Sequence, residues 1–213
     1  FKAPTLFQLF SDFGNEALRP ERSTSYDLGV EKGRRGTGTH LALTAFRRDS
    51  EDLIGFASCF GNTAPICATR PFGYYDNIGR ARAQGIELEA GAEVTQGLRI
   101  AGHYSLVDAE DRATGRDLAR RPRHSATLYA DWTGPAGVAL GADLRLVSES
   151  FDNAANTIRL GGYEVLDLRA SVPVTDGVEL FGRVENVFDR GYQTAAGYNS
   201  APRGAFVGVR GRM

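Results

Sequence analysis

Apolar and polar residues alternate along nine segments of the chain, and this period of two predicts β-strands with one apolar and one polar face. In the first segment Tyr26, Leu28 and Val30 share one face, whereas Asp27 and Glu31 share the other. The second segment, over 39–56, alternates less cleanly. Apolar pairs on one face of the later segments are Ile86 and Leu88, Leu98 and Ile100, Leu128 and Trp132, Leu140 and Leu144, Leu166 and Leu168, Leu180 and Val184, and Val207 and Val209.

The connections between these segments alternate in length. Residues typical of turns predict short connections, and long polar stretches predict loops between them. The short turns are expected near 33–38, 95–97, 133–137 and 174–177, and the long loops near 58–73, 108–120, 152–161 and 193–203. Short turns on one side and long loops on the other are typical of an outer-membrane barrel.

A soluble β-sandwich could also show alternation, but it gives no reason for this segregation of loop lengths. We therefore predict an all-β fold, an antiparallel transmembrane β-barrel segment of about nine strands. No run approaches the roughly 18 apolar residues of a membrane-spanning helix, which barrel strands do not need. The formal net charge of -1 argues against a nucleic-acid partner, which normally requires a basic excess.

The two cysteines, Cys59 and Cys67, fit neither a zinc site, which needs about four ligands, nor a Cys-x-x-Cys redox motif. We predict that they form a disulfide that closes a small loop, with two free thiols as the alternative. A disulfide there would indicate an oxidising compartment.

Four stretches resemble the barrel of the TonB-dependent outer-membrane receptors. They are "FKAPTLFQLFSDFGNEALRPERSTSYDLGVEKG", "YDNIGRARAQGIELEA", "RVENVFDRGYQTAAGY" and "RGAFVGVRGRM". The third resembles the family's Asn-Leu-Phe-Asp box, with Val187 in place of the usual leucine. The chain ends in Met213, where members usually carry an aromatic residue.

The resemblance implies a barrel of about 22 strands plugged by an N-terminal domain that contacts TonB. Residues 1–213 are then expected to be the C-terminal portion of that barrel, with the plug and the earlier strands absent. The location implied is the outer membrane of a Gram-negative cell. A monomer is expected, in contact with outer-membrane lipid and lipopolysaccharide.

The function implied is active transport of a large scarce nutrient into the periplasm with energy relayed by TonB. The stretch "KAPTLFQLFSDFGN" resembles the cobalamin receptors more than the siderophore receptors, so cobalamin is favoured over a ferric siderophore. A passive porin-like channel is the alternative from another class. We expect no enzyme activity, no cofactor and no metal, because the sequence contains no nucleophile motif and its three histidines lie in separate strands.

Aromatic residues of the long loops are the candidate ligand contacts, because a bulky ligand needs flat apolar surface with a few hydrogen bonds. Packing among the loops themselves is the alternative for each of these residues. The candidates are Phe60, Phe72, Tyr74, Tyr75 and Tyr198, with Asn199 as a polar contact.

Charged residues on the polar strand face are expected to line the barrel interior and to face the plug. These residues are Glu87, Glu89, Arg99, Asp143, Arg145, Asp167, Arg169, Arg183 and Glu185. Carboxylates over 108–111 and 149–152 are interpreted as solvated loop charge, with a calcium site as the alternative.

Overall fold

A computed structural model describes residues 1–36, 38–61 and 63–211 of the chain. Thr37 of the first predicted turn, Asn62 of the cysteine loop, and the terminal Arg212 and Met213 lie outside the described residues. The strands are β1 (Arg22–Gly33), β2 (His40–Ser58), β3 (Gly73–Thr95), β4 (Leu98–Asp111), β5 (His124–Thr133), β6 (Ala139–Val147), β7 (Ser150–Phe151), β8 (Arg159–Leu160), β9 (Tyr163–Thr175), β10 (Val178–Glu185), β11 (Gln193–Ala195), β12 (Tyr198–Asn199) and β13 (Gly204–Gly211).

Nine of these strands form one sheet, in the order β1, β2, β3, β4, β5, β6, β9, β10 and β13. Strands β7 and β8 form a small hairpin, and β11 and β12 form another. The all-β prediction and the predicted alternation of short and long connections are both confirmed, since β3 and β4 are two residues apart whereas 59–72 separate β2 from β3. Within the described residues, no helix is long and apolar enough to cross a membrane.

The chain divides into two compact units, which are described separately. The first unit contains Phe1–Asp27, Phe46–Gln84 and Asp108–Leu118. The second contains Leu28–Ala45, Gly85–Val107 and Ala119–Met213.

The register of the second unit places like residues side by side. Leu128 of β5 lies opposite Leu144 of β6, and Asp143 of β6 lies opposite Asp167 of β9. The pairing of β10 with β9 continues this rule, because Leu180 faces Val172. A slip of one residue would move every apolar side chain to the polar face, so the alternation itself fixes the register.

The apolar face of these strands is not covered by protein within the second unit. Leu28 is 77% exposed and Val207 is 79% exposed, and exposed leucines continue along β5 and β6 at Leu128 and Leu140. No side chain among the described residues is large and less than 2% exposed. A sheet without a buried apolar layer is what a barrel wall needs, because its apolar face contacts lipid.

The first unit begins with a short helix, α1 (Leu6–Phe10), and the 3-10 turn Pro65–Ala68 lies in its long connection. The Thr5 hydroxyl accepts from the Gln8 backbone N–H, and the Gln8 side chain accepts from the Thr5 N–H. This capping box satisfies two amide groups that a helix of five residues would otherwise leave without a partner.

Candidate functional site

The long connection between β2 and β3 contains the predicted disulfide. Cys59 and Cys67 are bonded, with sulfur atoms 2.02 Å apart, and no cysteine among the described residues is free. The disulfide prediction is therefore confirmed, and the alternative of two free thiols is wrong. Such a bond persists in an oxidising compartment, which agrees with a loop outside the cytoplasm.

The aromatic candidates of the first unit fall into two groups. Phe60 is 78% exposed and Phe72 is 65% exposed, so both present apolar surface to solvent. Tyr74 is buried, and the Tyr75 ring packs edge to face against Phe56 at 5.8 Å between centroids. Phe60 and Phe72 are thus accessible to a ligand, whereas Tyr74 and Tyr75, at the start of β3, are respectively buried and packed against a ring of β2.

The second unit presents its own exposed aromatic residue at the tip of the last long connection. Tyr198 is 76% exposed and follows Gly197, whose φ of +83° closes the β11–β12 hairpin. The side-chain oxygen of Asn199 accepts a hydrogen bond from the Gln193 side-chain amide at 2.7 Å, so this oxygen already has a partner within the hairpin. Its ligand contact stays a prediction, as do those of the other candidates.

Asn77 anchors the loop that precedes β1 in the first unit. Its side-chain amide donates to the carbonyls of Arg19, at 3.0 Å, and Asp52, at 2.7 Å. The Asn77 side-chain oxygen accepts from the Arg19 N–H at 2.8 Å, and the Arg19 guanidinium pairs with the Asp52 carboxylate. One amide group therefore joins the loop to two strands, a role that the sequence pattern did not reveal.

Asn186 plays the same part at the root of the last long connection in the second unit. It is buried, and its side-chain amide donates to the carbonyls of Arg190, at 3.0 Å, and Ala201, at 3.3 Å. Its side-chain oxygen accepts from the Arg190 N–H at 2.8 Å, and its own N–H donates to Asp167. The box over 186–189 thus fixes the two ends of the loop that carries Tyr198.

Asp152 lies within the same unit, between β7 and β8. Its carboxylate accepts from the Arg120 guanidinium at 2.7 Å and from the Ala196 N–H at 3.2 Å. The hydrogen bond from Arg120, followed by that from Ala196, holds the pKa of Asp152 below its usual value. The interpretation of 149–152 as solvated charge is wrong for this residue, because its side chain is only 13% exposed and is bonded.

Most of the charged residues predicted to line the interior form ion pairs or hydrogen bonds. His40, which is buried, contacts Glu89 through Nε2 at 3.1 Å, and Arg99 reaches its Nδ1 at 3.3 Å. Arg169 bridges Asp131 and Asp143. Parity along the strands could have revealed His40 and Asp131 as members of this face, since each follows the same alternation as its partners.

Glu87 lines a polar cavity of about 310 Å³ together with Glu89, His103 and Thr127. On the last strands, Arg183 pairs with Glu185 at 3.1 Å and lies over the Phe206 ring at 4.6 Å. The register puts Arg145 opposite Thr127 on this face. All these residues line one polar surface, and their orientation toward a plug stays a prediction.

Comparisons with known proteins agree on one family. Residues 1–187 match the family described as TonB dependent receptor-like, beta-barrel. The vitamin B12 transporter BtuB of Photobacterium profundum is 33% identical over 97% of this chain. The chain spans 33% of that relative's length.

Solved structures show the same fold. The pyoverdine outer membrane receptor FpvA from Pseudomonas aeruginosa is 21% identical, with a TM-score of 0.75 over 93% of this chain and 31% of its own. The copper transporter OprC is 18% identical, with a TM-score of 0.77 over 99% of this chain and 35% of its own. The chain belongs to the TonB-dependent receptors, the β-barrel proteins of the outer membrane, as the resemblance of its four stretches to that family predicted.

Proposed function

We propose that residues 1–213 are the C-terminal portion of a receptor barrel that takes up cobalamin through the outer membrane. The observation that carries this proposal is the 33% identity to a vitamin B12 transporter over 97% of the chain. The solved neighbours, at 18–21% identity, support the fold and leave the ligand open. A ferric siderophore is therefore the competing ligand in the test.

The long connections are proposed to face the cell exterior and to capture the ligand. Exposed aromatic side chains supply flat apolar surface of the kind that a corrin ring requires. In the first unit this surface is offered by Phe60 and Phe72, and in the second by Tyr198. The disulfide between Cys59 and Cys67 supports capture by restricting the loop that carries Phe60.

The polar strand face is proposed to hold the plug in the complete receptor. Its ion pairs are solvent-exposed, as between Arg169 and Asp131, whose side chains are 44% and 52% exposed. Such pairs are each worth only about 0–1 kcal/mol, so they can exchange partners when the plug is pulled through TonB. The proposal includes no covalent chemistry, and it requires a plug domain upstream of these strands.

The apolar strand face is proposed to contact membrane lipid in a monomeric barrel. Exposed leucines and valines of the second unit support this contact. In the first unit Arg82 and Arg47 both pair with Asp49, at 2.7 and 2.9 Å, on β3 and β2. Cationic side chains there suit the phosphate groups of lipopolysaccharide.

The test is binding and uptake by the full-length receptor. We expect saturable binding of cyanocobalamin, none of ferric siderophores, and uptake that disappears when TonB is deleted. Replacing Phe60 by Ala should weaken cyanocobalamin binding, whereas Tyr26→Ala, on the apolar face of β1, should not. Binding of a ferric siderophore alone would contradict the proposed ligand, and uptake without TonB would indicate a passive porin-like channel.

A further inference from the structure

Three connections of the second unit meet at one carboxylate. Arg120 follows β4, Asp152 lies in the connection between β6 and β9, and Ala196 belongs to the hairpin of the last connection. Asp152 accepts from the Arg120 side chain at 2.7 Å and from the Ala196 N–H at 3.2 Å. Segments far apart in the chain are therefore joined at a single side chain.

Further backbone bonds position this carboxylate. The Arg120 N–H donates to the Phe151 carbonyl at 2.6 Å, and the Asp152 N–H donates to the Ile158 carbonyl at 2.8 Å. The β7–β8 hairpin is thus held on both sides of Asp152 by bonds independent of Ala196.

The hairpin that Asp152 holds carries the exposed ring of Tyr198. Its other side-chain bonds are local, as from Gln193 to Asn199 at 2.7 Å and from the Gly197 N–H to Gln193 at 3.1 Å. Local bonds stabilise the shape of the hairpin, but they do not fix its position relative to the neighbouring connections. The bond to Asp152 links the hairpin directly to a neighbouring connection.

We propose that Asp152 is a positioning residue that couples these three connections. The three connections then become ordered together when a ligand binds and open together when it leaves. Hydrogen bonds to a charged group are stronger than neutral ones, and the carboxylate is mostly shielded from water, at 13% exposure. The inference about ligand capture rests on the proposed function, whereas the coupling of the connections does not.

Amide hydrogen exchange of the full-length receptor tests the coupling. In Asp152→Ala, exchange over 193–199 should become about tenfold faster, because the Ala196 amide loses a charged acceptor. Asp152→Asn keeps an acceptor oxygen of the same shape, so it should restore part of the protection. The Asp152→Asn variant also tests the proposed coupling if Asp152→Ala does not fold.

Substitution of Arg120 distinguishes coupling from a purely local role of Asp152. A local role would leave amide exchange over 193–199 unchanged when Arg120 is replaced. Arg120→Gln should speed exchange over 193–199, even though the hydrogen bonds of Arg120 go to the Asp152 carboxylate and the Phe151 carbonyl. The matched control is Glu149→Ala, which removes an exposed pair with Arg159 inside a single connection. Unchanged exchange over 193–199 in both the Asp152 and Arg120 variants would overturn the proposal.

Dissociation of cyanocobalamin is the second measurement that tests the proposal. Its dissociation from the Asp152→Ala receptor should be about fivefold faster or more, within the usual range of coupling between sites, and unchanged in Glu149→Ala. If the wild-type receptor does not bind cyanocobalamin, the proposed ligand fails while the exchange arm still decides the coupling. Faster exchange with unaltered dissociation would refute the role in capture.

Discussion

Replacing Asn186 by Ala should release the last long connection from the sheet. The substitution removes three side-chain hydrogen bonds, two to the carbonyls of Arg190 and Ala201 and one from the Arg190 N–H. These groups lie around a residue that is 5% exposed, so water does not readily replace the lost partner. At about 1 kcal/mol for each bond, the loss amounts to about 3 kcal/mol.

Backbone conformation adds to this loss. Asn186 has a φ of +51°, in the left-handed region that asparagine tolerates and alanine does not. The strain raises the cost of Asn186→Ala by about 1–2 kcal/mol. Asn186→Gly loses the same hydrogen bonds without that strain, so the two variants separate the contributions.

Amide exchange over 187–192 measures the free energy of local opening, because exchange there requires the loop root to open. The matched control is Asn199→Ala, which removes one bond from an exposed asparagine of the same connection and should cost less than about 1 kcal/mol. If Asn186→Ala changes the opening free energy no more than Asn199→Ala does, the anchoring role of Asn186 is refuted.

Three other predictions concern the disulfide, the strand faces and acid. Replacing Cys59 and Cys67 together by Ala should destabilise the first unit by about 2.5 kcal/mol from loop-closure entropy at a sequence separation of 8, measured by thermal unfolding without reductant; a change under about 0.5 kcal/mol would contradict this. Leu128→Arg, on the apolar face, should cost about 2–4 kcal/mol when the receptor folds into phospholipid vesicles, and more than its control Thr127→Arg on the polar face. Because the folded pKa of Asp152 is lowered, its stabilisation is complete above the ordinary aspartate pKa of about 3.9 and is lost as pH falls through the lower folded value. Protection of 193–199 from exchange should therefore persist at pH 4.5. Loss of this protection at pH 4.5, down to the level of Asp152→Ala, would show that the folded pKa of Asp152 is not lowered.

The strands of the sheet were predictable because their signal is local. Alternation over a few residues tells which face a side chain occupies, and pairings such as Leu128 with Leu144 follow from it. Strands β7, β8, β11 and β12 were missed, since two or three residues are too few to show a period. Turn residues such as Gly197 were visible, but they did not reveal a hairpin inside a long loop.

The loop contacts could not be predicted because they join residues far apart in sequence. Asp152 and Arg120 are separated by 32 residues, and Asp152 and Ala196 by 44. Composition alone gave Asp152 the interpretation of solvated charge, which is the usual state of a loop carboxylate. Only the packing of three connections against each other changes that interpretation for Asp152.

Two residues of the stretches that carry the family resemblance, Asn77 and Asn186, anchor loops. Asn77 fixes the loop before β1, and Asn186 fixes the ends of the last connection. Anchors of this kind are needed whatever the loops bind, so they identify a receptor barrel without identifying its ligand. Exposed side chains at the loop tips, such as Phe60, lie outside the four stretches that carry the resemblance. Specificity for cobalamin or a siderophore therefore has to be sought by substitution at the tips, with the anchors left intact.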